Sequence, residues 1–193
     1  RRVLRGGVPS GAGLAAVCLL FGRAWRGDFE LSSPARIRLG VLYDPRLLAH
    51  FILLRNGHDG VHWVFLIIVS AFAGDVAAFY SGRTFGRRRL SPAVSPGKTV
   101  EGIFGLVAGS VLGAVAYQFF FFPQIPMAHA AMMGFIGSLV GQMGDLFESS
   151  NKRSSGVKDS GMILPGHGGI LDRIDCLLFI IPLVYYYRAF VIA

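Results

Sequence analysis

Residues 62–80 read HWVFLIIVSAFAGDVAAFY. A helix rises about 1.5 Å per residue, so a run of this length covers nearly all of a hydrocarbon core about 30 Å thick. Asp75 is its only carboxylate, and it holds no lysine or arginine. A carboxylate at that depth costs at least a few kcal/mol unless it is paired or faces water. Two readings follow for Asp75: an ion pair with an arginine of the basic stretch that comes next, or one wall of a polar site inside a membrane protein. The second is preferred, because intramembrane carboxylates usually mark function.

Working outward, further apolar runs occupy 11–25, 38–54, 100–122, 125–146 and 174–192. The first is weak, and Asp44-Pro45-Arg46 breaks the second. The expected fold is an all-α integral membrane protein, a polytopic bundle of about six hydrophobic helices. Residues 1–60 form amino-terminal membrane segments. Residues 61–193 form one transmembrane domain carrying two large loops, 81–99 and 147–173.

Composition agrees. The chain has 193 residues, 53% hydrophobic and 16% charged, against about 25% charged in soluble domains. Mean hydropathy is +0.54. The net charge of +8 fits cytoplasmic loops and anionic headgroups rather than nucleic acid, since no basic surface interleaved with aromatics is visible. Cys18 and Cys176 lie inside apolar runs and read as small hydrophobes.

Charge also orients the spans. Loop 81–99 carries Arg83, Arg87, Arg88, Arg89 and Lys98, and loop 147–173 carries Lys152, Arg153, Lys158 and Arg173. The connection between their flanking spans carries no lysine or arginine. Both basic loops are therefore expected to face the cytoplasm, and a bacterial inner membrane is the expected location. Gly105, Gly109 and Gly113 form a ladder of small residues, as do Gly137 and Gly141. Such ladders allow close helix approach. Packing inside one protomer is preferred over a homodimer interface, which stays open. Phe119 to Phe122 read as lipid-facing.

The chemistry concentrates late in the chain. Residues 158–175 read KDSGMILPGHGGILDRID. Gly166, Gly168 and Gly169 let backbone approach a bulky anion closely. Lys158 and Arg173 offer charge to phosphates, and Asp159 and Asp175 read equally as groups that orient them or as plain ion-pair partners. Asp145 and Glu148 are expected at the carboxyl end of the 125–146 helix, where acids oppose the helix dipole. A cation there would explain the placement. Asp145 and Asp172 make the best metal pair, and Mg²⁺ prefers a sparse carboxylate supply completed by water and phosphates. Gly97-Lys98-Thr99 superficially matches a P-loop, but Pro92 stands where that pattern needs glycine and no strand is expected ahead of it. A Ser-Pro-Gly-Lys turn still offers backbone N–H groups and an ammonium to phosphate. His167 reads as a hydrogen-bond donor to phosphate more readily than as a metal ligand. No role attaches to His50, His58, His62 or His129.

Taken together, Ser149-Ser150-Asn151-Lys152-Arg153, Lys158-Asp159, Pro165 to Gly169, and Asp172-Arg173-x-Asp175 are spaced as in one known signature. The chain resembles the phosphatidate cytidylyltransferases, also called CDP-diacylglycerol synthases. Asp75, Gly82, Arg83, Phe85, Gly86, Ser95 to Thr99, Glu101, Gly102 and Gly144 to Ser149 fit the same family, so the resemblance covers about residues 38–193. Asn151, Val76 and Phe79 depart from it without removing a charge.

The resemblance implies transfer of a cytidylyl group from CTP to phosphatidate, with Mg²⁺ on Asp145 and Asp172 and a second cation left open. It implies catalytic roles for Asp75, Asp145, Lys158, Asp172 and Arg173. Ser95, Lys98, Thr99, Lys152, Arg153, His167, Gly168 and Gly169 would bind substrate. Because the family's chains usually extend further at the amino end, one or more helices are expected ahead of Arg1. An ion-coupled transporter would explain the buried carboxylates but not the loop motifs. A CTP-dependent polyprenol kinase would share nucleotide and metal but attack the γ-phosphorus. The CDP-alcohol phosphotransferases are disfavoured, because their Asp-Gly-x-x-Ala-Arg motif is absent.

Overall fold

The computed structural model describes residues 48–91, 95–154 and 171–192. Within them the protein is an α-helical membrane bundle. Residues 48–55 are helical. Four helices follow: α1 (Gly60–Phe85), α2 (Val100–Phe121), α3 (Met127–Ser154) and α4 (Leu171–Tyr187). The first three are long and apolar enough to cross a membrane. The last widens into a π-helical turn over Arg188–Ile192. Segment 11–25 and most of segment 38–54 lie outside the described residues.

Loop 81–99 departs from expectation. Helix α1 continues through Phe85, and the remainder folds back as an antiparallel hairpin of β1 (Arg89–Ser91) and β2 (Ser95–Thr99). Arg89 pairs with Thr99 and Ser91 with Ser95, and the register shifts in between. A strand does therefore precede Gly97-Lys98, and those residues are strand rather than turn. The P-loop is still excluded by Pro92. The hairpin's base is fixed to α2. The Val100 N–H donates to the Arg88 carbonyl at 2.9 Å. The Thr99 hydroxyl caps α2 by accepting from the Gly102 N–H at 3.1 Å, which satisfies an otherwise orphaned first-turn donor.

Loop 147–173 also begins later than expected, because α3 stays helical to Ser154. Asp145 therefore sits more than two turns before the helix end, so the expected conflict with the dipole does not arise. The last turn of α3 carries Lys152 and Arg153 instead, the sign a carboxyl terminus favours.

The helices pack through small residues, as they must where lipid tails are as apolar as leucine. The most extensive contact is α1 on α2. A Cβ on Gly109 would lie 2.6 Å from the Ala73 carbonyl, and one on Gly113 would lie 2.6 Å from the Ala73 Cβ. Gly105 meets Ser81 in the same way. The glycine ladder thus serves packing inside the protomer. Gly141 likewise admits Ile180, and Gly144 admits Phe179, both from α4. Phe119, Phe120 and Phe121 face outward, but Phe122 does not follow them. It ends α2, is only 1% exposed, and packs on His62 and Trp63.

Chain direction alternates through α1, α2 and α3. The hairpin, the carboxyl-terminal half of α3 and the start of α4 therefore share one end of the bundle. The apolar core, built on Leu54, Trp63, Leu66, Phe122, Ile181 and Val184, lies toward the other end. His50, His62 and His129 there pair with Tyr186, Tyr117 and Tyr187.

Candidate active site

A cavity opens among α1, α2, α3 and α4. Asp75 and Ser70 reach it from α1, Ser110 from α2, Ser138, Gln142 and Asp145 from α3, and Cys176 from α4. The spacing on α3 explains its share: Ser138, Gln142 and Asp145 lie four and three apart, so one helix face carries all three. The close approach of α1 to α2 is what brings Asp75 to the same space. Gly74 has no room for a side chain against the Ser110 hydroxyl.

The hairpin supplies the cation. Lys98 Nζ forms an ion pair with Asp145 Oδ2, and Ser149 donates to Asp145 Oδ1 at 3.3 Å. Asp75 lines the same cavity as Asp145. Among the described residues it makes no ion pair with an arginine, so it stands as a wall of the polar cavity. Two carboxylates and one ammonium thus share a small space.

Two acids on neighbouring elements hold the surroundings in place. Glu101, in the first turn of α2, accepts from the backbone N–H of Arg87 at 3.1 Å and of Arg88 at 3.3 Å. Both arginines are left exposed. Glu148 pairs with Lys152 at 3.3 Å, one helical turn on. Lys152 is therefore an ion-pair partner on α3, whereas Arg153 is exposed to solvent. Ser95 and Thr99 belong to β2, and Thr99 already acts as the α2 cap. Gly82 and Gly102 close around it, since a Cβ on either would sit 3.0 Å from the Thr99 hydroxyl.

The backbone of Asp172 and Arg173 falls in the first turn of α4, at the hairpin end; their side chains are outside what is described. Lys158, Asp159, His167, Gly168 and Gly169 lie outside the described residues. The structure thus brings together Asp75, Lys98 and Asp145 from the expected set. It adds Ser70, Ser110, Ser138 and Gln142, for which the reading of the sequence made no case. Their signal was visible: polar residues inside otherwise apolar spans, with Gln142 three residues ahead of Asp145. Among the described residues, no group of three or more histidine, cysteine or acidic side chains is placed to hold a metal.

A model of the cytidylyltransferase family matches residues 13–191. A phosphatidate cytidylyltransferase of Bacillus subtilis strain 168 is 38% identical over 165 residues, which are 85% of this chain and 61% of that protein. One from Staphylococcus haemolyticus is 38% identical over 156 residues, 81% of this chain and 56% of its own. One from Haemophilus influenzae is 42% identical over 145 residues, 70% of this chain and 49% of its own. The chain spans about half to three-fifths of the length of the curated relatives it matches.

Proposed function

The chain belongs to the cytidylyltransferase family, and from that membership we propose that it transfers the cytidylyl group of CTP to phosphatidate, giving CDP-diacylglycerol and pyrophosphate. The names of its relatives support this substrate pair. The observation that carries the reading is the Lys98–Asp145 ion pair. It joins two motifs distant in sequence, in a cavity that a second carboxylate also lines and near which Asp172 enters α4.

The chemistry asks for such a site. A phosphate oxygen of the lipid attacks the α-phosphorus of CTP, forming a new P–O bond as the bond to the β-phosphate oxygen breaks. Pyrophosphate leaves with that electron pair. A phosphomonoester has its second pKa near about 6, so it is largely dianionic at neutral pH and needs little help from a base. The difficulty is that two anions must meet. Preorganised positive charge lowers that barrier, and Lys98, Lys158 and Arg173 are the groups assigned to it, with Lys152 and Arg153 at the rim.

Two carboxylates against one ammonium leave the cavity short of positive charge, a donor set that suits Mg²⁺. Asp145 and Asp172 would hold it, with Asp75 beside them. Bound there, the ion would neutralise phosphate oxygens and help to set the nucleotide in line. Asp145 can serve both the ion and Lys98, because each carboxylate oxygen accepts more than one partner.

The basic residues at the hairpin end support a site at the cytoplasmic face of a bacterial inner membrane. The exposed Arg83, Arg87, Arg88 and Arg89, all near that end, support this orientation. CTP would enter from the cytosol and the lipid from the bilayer. The test is pyrophosphate release by the purified full-length protein given CTP, phosphatidate and Mg²⁺. Release that depends on lipid and is abolished by EDTA supports the reading. CDP as the nucleotide product would instead make the protein a lipid kinase.

A further inference from the structure

The nitrogen of the Gln142 side chain is buried and, among the described residues, has no hydrogen-bond partner. A buried amide left unpaired costs about 1–3 kcal/mol, and native proteins rarely carry one without a reason. This one lines the cavity. Ser70 donates to the Ser110 carbonyl at 3.0 Å and Ser138 to the Phe135 carbonyl at 2.7 Å; their oxygens keep lone pairs, yet neither accepts from the Gln142 amide. Gln142 is therefore a donor that lacks an acceptor among the described residues.

Position narrows the acceptor. Gln142 precedes Asp145 by three residues, so it sits about 4.5 Å further along α3, away from the hairpin and toward the bilayer interior. Beyond it the described cavity wall is Leu66, Leu106, Met133 and Val184 with the neutral Ser70, Ser110 and Ser138. A phosphate brought to this depth would meet no cation on that wall, and burying such a charge uncompensated is prohibitive. A neutral acceptor suits a neutral amide. In a glycerophospholipid the ester carbonyls lie a few bonds below the phosphate, much as Gln142 lies one turn below Asp145.

Resting on the reading of the substrate given above, we infer that the Gln142 carboxamide binds an acyl-ester carbonyl of the lipid substrate. It thereby positions the lipid phosphate at the Lys98–Asp145 end of the cavity. Gln142 is a specificity determinant for ester-linked lipid, acting through the oxygen that ether-linked analogues lack.

The experiment measures pyrophosphate release by the full-length protein in mixed micelles with CTP and Mg²⁺. Diacyl phosphatidate is compared with its dialkyl-ether analogue of equal chain length. The wild type should favour the diester by about five- to tenfold in kcat/KM, the worth of one hydrogen bond. Gln142→Leu should shrink that advantage below about twofold. If the wild type treats both lipids alike, the inference is overturned whatever the variant does. It is overturned equally if Gln142→Leu lowers both lipids in proportion, as loss of a structural water contact would, or if it raises only the KM for CTP. Should Gln142→Leu fail to fold, the wild-type comparison and Gln142→Asn, which retracts the amide by one methylene, decide the matter. Absence of pyrophosphate with either lipid marks failure of the underlying reaction assignment, a result distinct from equal use of the two.

Discussion

Lys98 and Asp145 lie 47 residues apart and meet as an ion pair where the hairpin leans on α3. The pair is partly exposed, with Lys98 at 26% and Asp145 at 33%. Pairs so placed stabilise a fold by no more than about 1 kcal/mol. Its proposed value is electrostatic, because the ammonium pairs with one of the two carboxylates that line the cavity. Lys98→Met should lower kcat by about 10²-fold or more, the usual effect of removing one preorganised charge. The unfolding temperature in detergent should change little. Combined with Asp145→Asn, the losses should fall well short of adding, as expected for groups acting as one unit. A Lys98→Met enzyme that keeps most of its turnover would remove Lys98 from the site.

The hairpin that carries Lys98 is held by Glu101, through the backbone N–H groups of Arg87 and Arg88. Glu101→Ala removes both acceptor contacts and leaves the arginines on an unanchored strand. Trypsin cuts after arginine, so the rate of cleavage at Arg87 to Arg89 reports the anchoring directly. Cleavage should quicken several-fold, with kcat falling because Lys98 loses its fixed approach to Asp145. Glu101→Gln keeps an acceptor oxygen and should lie between. Equal cleavage rates in wild type and Glu101→Ala would mean that the hairpin is fixed by the strand pairing alone.

The spans of this bundle were legible in the sequence because their signal, a long apolar run, is the physical requirement for crossing lipid. Their ends were less legible, for a physical reason. Hydropathy reports where the bilayer stops, not where the helix stops. At Leu146 the run turns polar, yet α3 continues to Ser154, carried by the Glu148–Lys152 pair and the Ser149–Asp145 hydrogen bond at helical spacing. The hairpin was missed because Arg89-Leu90-Ser91 has little strand propensity of its own. Its form is set by the Thr99 cap and the Val100–Arg88 bond at its base, neither of which a local pattern reveals. Asp75, Lys98 and Asp145 were found because charge beside a membrane is conspicuous. Gln142 was not, because one amide in an apolar span has many uses until its partners are known.

The glycine ladder on α2 separates two readings by experiment. Gly109→Ala adds a methyl group against Ala73 and Ala77 of α1. Overpacking of this kind costs about 1–3 kcal/mol, so the variant should unfold at lower temperature in detergent. Its oligomeric state, followed by size-exclusion chromatography with light scattering, should stay as in the wild type. A variant that changes oligomeric state while unfolding normally would show that the ladder joins two copies of the chain.

Asp172 tests the proposed metal pair most directly. Its backbone lies in the first turn of α4, at the end of the bundle that holds Asp145. A carboxylate in a first turn favours the helix by about 0.3–1 kcal/mol, so Asp172→Asn, which conserves volume, should leave the fold intact and unfold within a few degrees of the wild type. Turnover should nevertheless fall by about 10²-fold or more, on the scale of losing an electrostatic element of the site. The Mg²⁺ concentration giving half-maximal activity should rise in parallel. Titrating Mg²⁺ into both proteins while following pyrophosphate distinguishes this from a structural effect, because a destabilised enzyme would lose activity without shifting its metal dependence. Near-wild-type turnover in Asp172→Asn would remove Asp172 from the metal site and leave Asp145 and Asp75 as the pair to test next.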